Sequence, residues 1–399
     1  MSKRNIDIAK LALQFVVIVG VANFFADFTY EGARSVIGPF LGSLGASATA
    51  VGFVAGFGEM AGYCLRSVSG YIADKTRRYW ATTFLGYAIN MFAVPALALA
   101  GNWPLAAALI VAERTGRAIR KPTVESMLSQ AGNVIGHGWV FGLNEALDQV
   151  GATLGPMVTA FILYRHGGYQ RAFSVLLVTA VLCLAVLVAA CVLQPGPLAF
   201  GEQSFRRPVQ KGFPRAFRLY LIAGALIAAG FADFSLIGFH FQKSGTVSQG
   251  IIPLYYSVAM ATGAIASLLF GRRFDKKGLP VLLIAFGAPA FFAPLVFLAK
   301  DGFELVGMIL WGMGMGAQDS CLKAALSTVV SSDRGSTAFG WFDTVFGLSW
   351  FAGSAIMGML YGKSIHALTI FSVALQLSAL PLFVLAGRNV QGHLGLSHR

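Results

Sequence analysis

Asp27, Glu31 and Arg34 follow one another at i, i+4 and i+7, the spacing that sets side chains on one face of a helix. Glu113, Arg117, Arg120, Lys121 and Glu125 make a second stripe of this kind, and Asp319 with Lys323 a third. Asp233 and His240 stand seven residues apart in another run, and Glu59, Glu145, Asp148 and Asp343 interrupt others. A desolvated carboxylate takes up a proton and releases it when water or an incoming charge favours the ionised form. A guanidinium or ammonium beside it holds an anionic or polar group. Acidic groups disposed above and below a basic one suit a proton-coupled carrier of a charged or zwitterionic solute. Among these residues Asp27, Glu145 and Asp233 are the candidate proton carriers, and Arg117, nearest mid-depth, is the candidate solute anchor.

The segments that must position these groups are apolar. Of 399 residues, 56% are hydrophobic and only 12% charged, with a mean hydropathy of +0.69. Soluble domains carry about 25% charged residues, so a water-facing surface cannot be covered here. Soluble enzymes, nucleic-acid binders and disordered scaffolds are excluded together. Charged groups inside such runs cost on the order of 2.5–3.5 kcal/mol each at mid-bilayer on insertion scales, so they must face water, a cavity or each other. At about 20 residues per crossing, twelve spans are expected: 11–33, 46–69, 79–100, 104–130, 137–163, 170–194, 217–241, 250–271, 279–299, 303–330, 335–361 and 366–387. The first apolar run is long enough to remain as a span, so it is expected to act as its own insertion signal.

The net charge of +13 reports topology. Eighteen Lys and Arg fall in connections on the amino-terminal side and five on the other, and basic loops stay cytoplasmic. A multi-pass protein of the cell (inner or plasma) membrane with both termini cytoplasmic is expected. Cys64, Cys183, Cys191 and Cys321 all lie in apolar runs with no CxxC spacing, so neither a disulfide framework nor a metal site is expected. No cofactor is expected either. An H-E-x-x-H, a G-x-S-x-G and a P-loop are all missing from the sequence, which argues against an intramembrane enzyme and a self-contained ATP-driven pump.

The chain repeats itself. Phe25-Ala26-Asp27-Phe28 recurs as Phe231-Ala232-Asp233-Phe234, Gly70-Tyr71-Ile72-Ala73-Asp74-Lys75 as Gly271-Arg272-Arg273-Phe274-Asp275-Lys276, and Phe141-Gly142-Leu143-Asn144-Glu145 as Phe339-Gly340-Trp341-Phe342-Asp343. The order is kept and the offset stays near 200 residues, the signature of a duplicated unit. The expected organisation is a six-helix bundle over 1–194, a basic Pro-containing linker over 195–216, a second six-helix bundle over 217–387, and a cytoplasmic tail over 388–399. Six crossings per copy insert both copies the same way round, with a shared pathway between them.

These residues resemble the major facilitator superfamily over nearly the whole chain. Its loop signature, G-x-L-x-D-[RK]-x-G-[RK]-[RK], is matched by Gly70, Ile72, Asp74, Lys75, Arg77 and Arg78 with one residue missing, and partly again by Gly271, Asp275, Lys276 and Gly278. The resemblance implies an all-α membrane fold of twelve transmembrane helices in two pseudo-symmetric bundles. It places the charged stripes on spans one, four, seven and ten, which line the family's pathway, and makes Asp74 a cytoplasmic latch onto a helix amino end. Gly151, Gly155 and Pro156 are similar to the G-x-x-x-G-P core of a motif in proton-coupled exporters, although Gly-x-x-x-Gly is also a common packing device. The expectation is a monomeric secondary transporter in the lipid bilayer that moves a small solute by alternating access, coupled to protons and running as an efflux antiporter. A facilitator or cation carrier without proton coupling is the alternative within transport. A membrane sensor or assembly protein on a transporter fold is the alternative outside it.

Overall fold

In lipid every backbone N–H and C=O must find a partner within its own segment, so apolar runs of this length become helices. The computed structural model describes residues 3–193, 215–277, 280–299, 302–322, 325–326 and 335–393. The first half forms α1 (Lys3–Ser43), α2 (Ala48–Thr76), α3 (Tyr79–Ala96), α4 (Trp103–Ile135), α5 (His137–Tyr164) and α6 (Gly168–Leu193). The second forms α7 (Arg215–Gly230), α8 (Phe234–Ser244), α9 (Ile252–Lys277), α10 (Val281–Gly287), α11 (Phe292–Phe297), α12 (Phe303–Ala317), α13 (Gly335–Lys363) and α14 (Ile365–His393). Strands are absent among the described residues.

Local chemistry sets the boundaries. Asn102 caps α4 by accepting a hydrogen bond from Leu105 N at 2.9 Å, with Pro104 in the first turn where its missing N–H costs nothing. The turn from α4 to α5 passes through Gly136 at φ +99°, a backbone conformation open to glycine.

Among the described residues nine helical stretches are long and apolar enough to cross a membrane. The three further spans expected from sequence differ for separate reasons. α4 is 33 residues long, but its charged stripe lowers its apolarity. The span expected over 279–299 is a shorter apolar stretch, Val281–Phe297, interrupted by a 3₁₀ turn at Pro289–Phe291. The span expected over 303–330 continues from α12 into a π-helical turn at Gln318–Leu322, and 323–324 and 327–330 lie outside the described residues. The linker expected over 195–216 lies almost wholly outside them too.

A correction concerns span seven, expected as one helix over 217–241. It is broken at 231–233, between α7 and α8. The freed backbone groups find other partners, as a break at membrane depth requires. Gly230 O accepts from Ser372 Oγ at 2.6 Å and Gln376 Nε2 at 3.1 Å, both on α14. Ala232 O accepts from Trp311 Nε1 of α12 at 2.9 Å.

The described residues pack as two compact units. One draws on Met1–Gly45, Ala61–Ser204 and Gln249–Ser257, the other on Ala46–Met60, Phe205–Ser248 and Val258–Arg399. In the first unit α1 lies against α3, α4, α5 and α6, burying Phe15, Val19, Ala22 and Ala26 with Tyr87, Met91, Leu128 and Leu187. Close approach of α5 depends on small residues: a Cβ on Gly151 would overlap Phe24 O, and one on Gly155 would overlap Phe28 O. In the second unit, likewise, a Cβ on Gly353 of α13 would overlap Ala229 O of α7. The core there is aromatic. Phe231 lies 5.5 Å from Trp311, 5.1 Å from Phe292 and 5.7 Å from Trp350.

Candidate functional site

Within the first unit, α1, α3, α4 and α5 bring a set of polar side chains into one hydrogen-bonded group. Arg120 of α4 reaches α1, where its Nη2 lies 3.4 Å from Asp27 Oδ1 and its Nη1 donates to Asn23 Oδ1 at 3.1 Å. Its guanidinium sits 4.5 Å from the centre of the Tyr87 ring, and Tyr87 Oη donates to the same Asn23 Oδ1. Asn23 Nδ2 donates to Asn144 Oδ1 at 2.7 Å, and Asn144 Nδ2 to Asp148 Oδ2 at 3.0 Å. Arg120 and Asn23 are buried.

α1 can present this face because it runs unbroken for 41 residues, so Asn23, Asp27, Glu31 and Arg34 stay in register along it. Gly151 and Gly155 draw α5 against the turns of α1 on either side of Asp27. α3 and α4 approach through Gly116, where a Cβ would overlap Asn90 N.

A second group lies further along α1. Arg34 Nη1 is 3.8 Å from Glu31 Oε1, and Glu31 Oε2 accepts a hydrogen bond from Tyr256 Oη, from the start of α9. All three residues are buried. Ser257 Oγ beside it donates to Thr153 O at 2.7 Å. Arg117 is half-buried, with its guanidinium 4.8 Å from the centre of the Tyr30 ring. Lys121 is exposed. Glu145 is exposed too and accepts from Gln149 Nε2 at 2.8 Å. Glu113 is held apart from these groups, by Asn90 Nδ2 at 2.9 Å and Arg114 Nε at 3.3 Å.

The second unit treats its ionisable residues differently. Asp233 is buried, and its Oδ1 accepts from Ser235 N at 2.8 Å as the amino-terminal cap of α8. His240 Nδ1 lies 3.0 Å from Tyr361 Oη. Glu59, on the part of α2 that belongs to this unit, is buried. Asp319 is exposed on the π turn and Asp343 is half-buried on α13. Lys323 and Gly278 lie outside the described residues. No cluster of three or more His, Cys, Asp or Glu side chains fit to hold a metal ion occurs among the described residues.

Of the loop-signature residues, Gly70 lies on α2 with Pro122 of α4 3.4 Å from where its Cβ would stand, and Gly271 lies on α9 with Ser320 3.8 Å away on the same measure. Lys75, Arg77, Arg78 and Lys276 are exposed. The side chains of Asp74 and Asp275 lie outside the described residues.

The structure therefore gathers Asp27 and Asp148, and separately Glu31 and Arg34, from the residues expected in a pathway. The cation that reaches Asp27 is Arg120 rather than Arg117. Spacing put both on the α4 stripe without separating them. Asn23 and Asn144 were within reach of sequence reasoning, since each stands four residues before an aspartate of its own helix, Asp27 and Asp148. Tyr87 and Tyr256 carried no such signal.

The chain matches the family profile of the Major Facilitator Superfamily over residues 19–354. It is 37% identical over 377 residues to an uncharacterized protein of Mycobacterium tuberculosis (strain H37Rv), covering 92% of each chain. An uncharacterized MFS-type transporter of Methanocaldococcus jannaschii is 24% identical over 360 residues, covering 87% of this chain and 88% of that one. The fold is similar to the crystal structure of a mutant of the nucleoside transporter NupG, with a TM-score of 0.76 at 13% identity over 93% of this chain and 99% of that one.

Proposed function

The chain belongs to the Major Facilitator Superfamily, and on that premise we propose that it is a proton-coupled antiporter exporting a small polar or charged solute. It is a multi-pass membrane transporter, and the proposal concerns what it couples and in which direction. The carrying observation is the ion pair that joins half-buried Asp27 of α1 to buried Arg120 of α4. An ionised Asp27 holds the arginine; a protonated one has no charge to hold it with. Proton binding thus changes which groups can meet a solute. Exchange follows when a proton and a donor group of the solute compete for the same carboxylates. Arg117, the half-buried cation over Tyr30, is the proposed anchor for an anionic or polar part of the solute.

Export is supported by the likeness of Gly151, Gly155 and Pro156 to the exporter motif, and these glycines seat α5 on the turns of α1 around Asp27. Glu145 and Asp233 are the other proposed proton carriers. Asp74 with Lys75, Arg77 and Arg78, and Asp275 with Lys276, are the proposed cytoplasmic gate. We place the protein in the inner or plasma membrane as a monomer with cytoplasmic termini, in keeping with its basic connections.

The solute is found by thermal-shift screening of the purified protein against amino acids, organic acids, sugars, metal ions and antibiotics, because a ligand stabilises the state it binds. Uptake of the strongest hit into inverted vesicles is then driven by a pH gradient. Asp27→Asn should abolish gradient-driven uptake while the protein still folds. Unchanged gradient-driven uptake in that variant would sink the coupling assignment.

A further inference from the structure

We infer that Asp148 is a second proton seat, joined to the Asp27–Arg120 pair by a one-way relay through Asn144 and Asn23. This rests on the proton-coupled reading above. The order of the relay is fixed by the chemistry of its first member. An arginine has only donors, so Asn23 must offer Arg120 its oxygen, and Tyr87 donates to the same atom. The amide nitrogen of Asn23 is then the end that meets Asn144, through the Asn144 oxygen. Asn144 in turn can present only its nitrogen to Asp148. Both amides point the same way, and the run ends on a carboxyl oxygen.

That carboxyl is satisfied on one side only. Asp148 Oδ2 takes the hydrogen bond from Asn144, while Oδ1 is buried and has no hydrogen-bond partner among the described residues. A buried anionic oxygen without a donor is unfavourable, and a proton on Oδ1 removes the charge. The groups that act on Asp148 are Asp27 of α1, Glu145 one turn back on α5, and Arg120 and Lys121 of α4, together with Tyr87 of α3. From α6, Cys183 acts on Arg120 and is itself tied to Ala22 O at 3.2 Å.

Arg120 is therefore shared. It holds Asp27 directly and reaches Asp148 only through two amides. While the arginine is committed to Asp27, Asp148 is met by the Asn144 amide rather than by the guanidinium and keeps the proton. When Arg120 lets go of Asp27, its charge is no longer committed there and the two acids can exchange roles. Together they hold one proton and one negative charge, and titrate as a pair. The proton comes from water on one side of the membrane and returns to water on the other, with no bond change beyond the O–H.

The test is a pH titration of the full chain in lipid nanodiscs, followed by the infrared C=O stretch of protonated carboxyl groups, with no solute added. Near neutral pH the wild type should show a protonated-carboxyl band that Asp148→Asn removes and that Asp27→Asn, which releases Arg120, moves to lower pH. A band that survives in Asp148→Asn, or is missing from the wild type, overturns the inference. Asn144→Leu cuts the relay and leaves both acids in place. It should move the pH midpoint of the band, whereas Asn144→Leu with an unmoved midpoint overturns the relay, and this second variant decides the matter if Asp148→Asn does not fold. The infrared result needs neither solute nor gradient, so it can fail while gradient-driven uptake succeeds, and the reverse.

Discussion

Phe25-Ala26-Asp27-Phe28 and Phe231-Ala232-Asp233-Phe234 are the same four residues at matching points of the two halves, yet their carboxylates have different occupations. Asp27 sits in the middle of an unbroken helix and pairs with Arg120. Asp233 sits at a break, where it caps the helix that follows. The surroundings account for the difference. A helix can be opened at membrane depth only if its freed carbonyls are met, and in the second unit Ser372, Gln376 and Trp311 meet them. Gly230 precedes the second copy, whereas Phe24 precedes the first. In the first unit the neighbouring α6 is strongly apolar. α1 therefore stays closed, needs no cap, and leaves Asp27 free to face a cation. An identical local sequence thus yields a carboxylate that caps a helix in one unit and one that pairs with a cation across helices in the other.

This contrast can be broken most sharply at Arg120. Arg120→Leu leaves the half-buried Asp27 without its cation, a loss that approaches the ~3–5 kcal/mol of a fully buried pair. A large fall in the thermal unfolding midpoint is expected, with part of it recovered in the Asp27→Leu/Arg120→Leu double variant. The two glycine contacts test whether both units depend on the same close helix approach. Gly155→Ala and Gly353→Ala each force a methyl group onto a facing carbonyl, and each should cost about 1–3 kcal/mol, read as the same thermal shift. At Asp233 the test separates the cap from the charge. Asp233→Asn keeps a capping oxygen, so Asp233→Ala should lose about 0.5–2 kcal/mol more than Asp233→Asn. Equal losses in the two variants would mean that the cap to Ser235 adds nothing beyond the charge. The smallest effect is expected at Glu145→Gln, since an exposed position away from special features usually moves stability by about 0.5 kcal/mol or less. A larger change there would show that Glu145 is engaged beyond its bond to Gln149.

Much of the architecture was legible because it is written in periodicities that lipid enforces. Long apolar runs, punctuated by signals such as Gly101-Asn102-Trp103-Pro104, could only be helices, and the twin motifs announced a duplicated chain. The α1 stripe was legible for the same reason: spacing along one helix fixes which side chains share a face. Pairing between helices is not written that way. Arg117 and Arg120 lie three residues apart on one stripe, and only the crossing of α4 with α1 decides which meets Asp27. The break in span seven was hidden because its partners lie about 80 to 145 residues further along the chain, at Trp311, Ser372 and Gln376.

By itself the sequence determined that this chain is a bundle of membrane helices with a repeated plan and too much buried charge to be inert. Those properties follow from composition and period, which act residue by residue. The tertiary structure decided that one aspartate of the repeated pair caps a helix while the other joins a polarised chain of hydrogen bonds. A carboxylate's role depends on which donor reaches it across a helix interface, and that is set by packing.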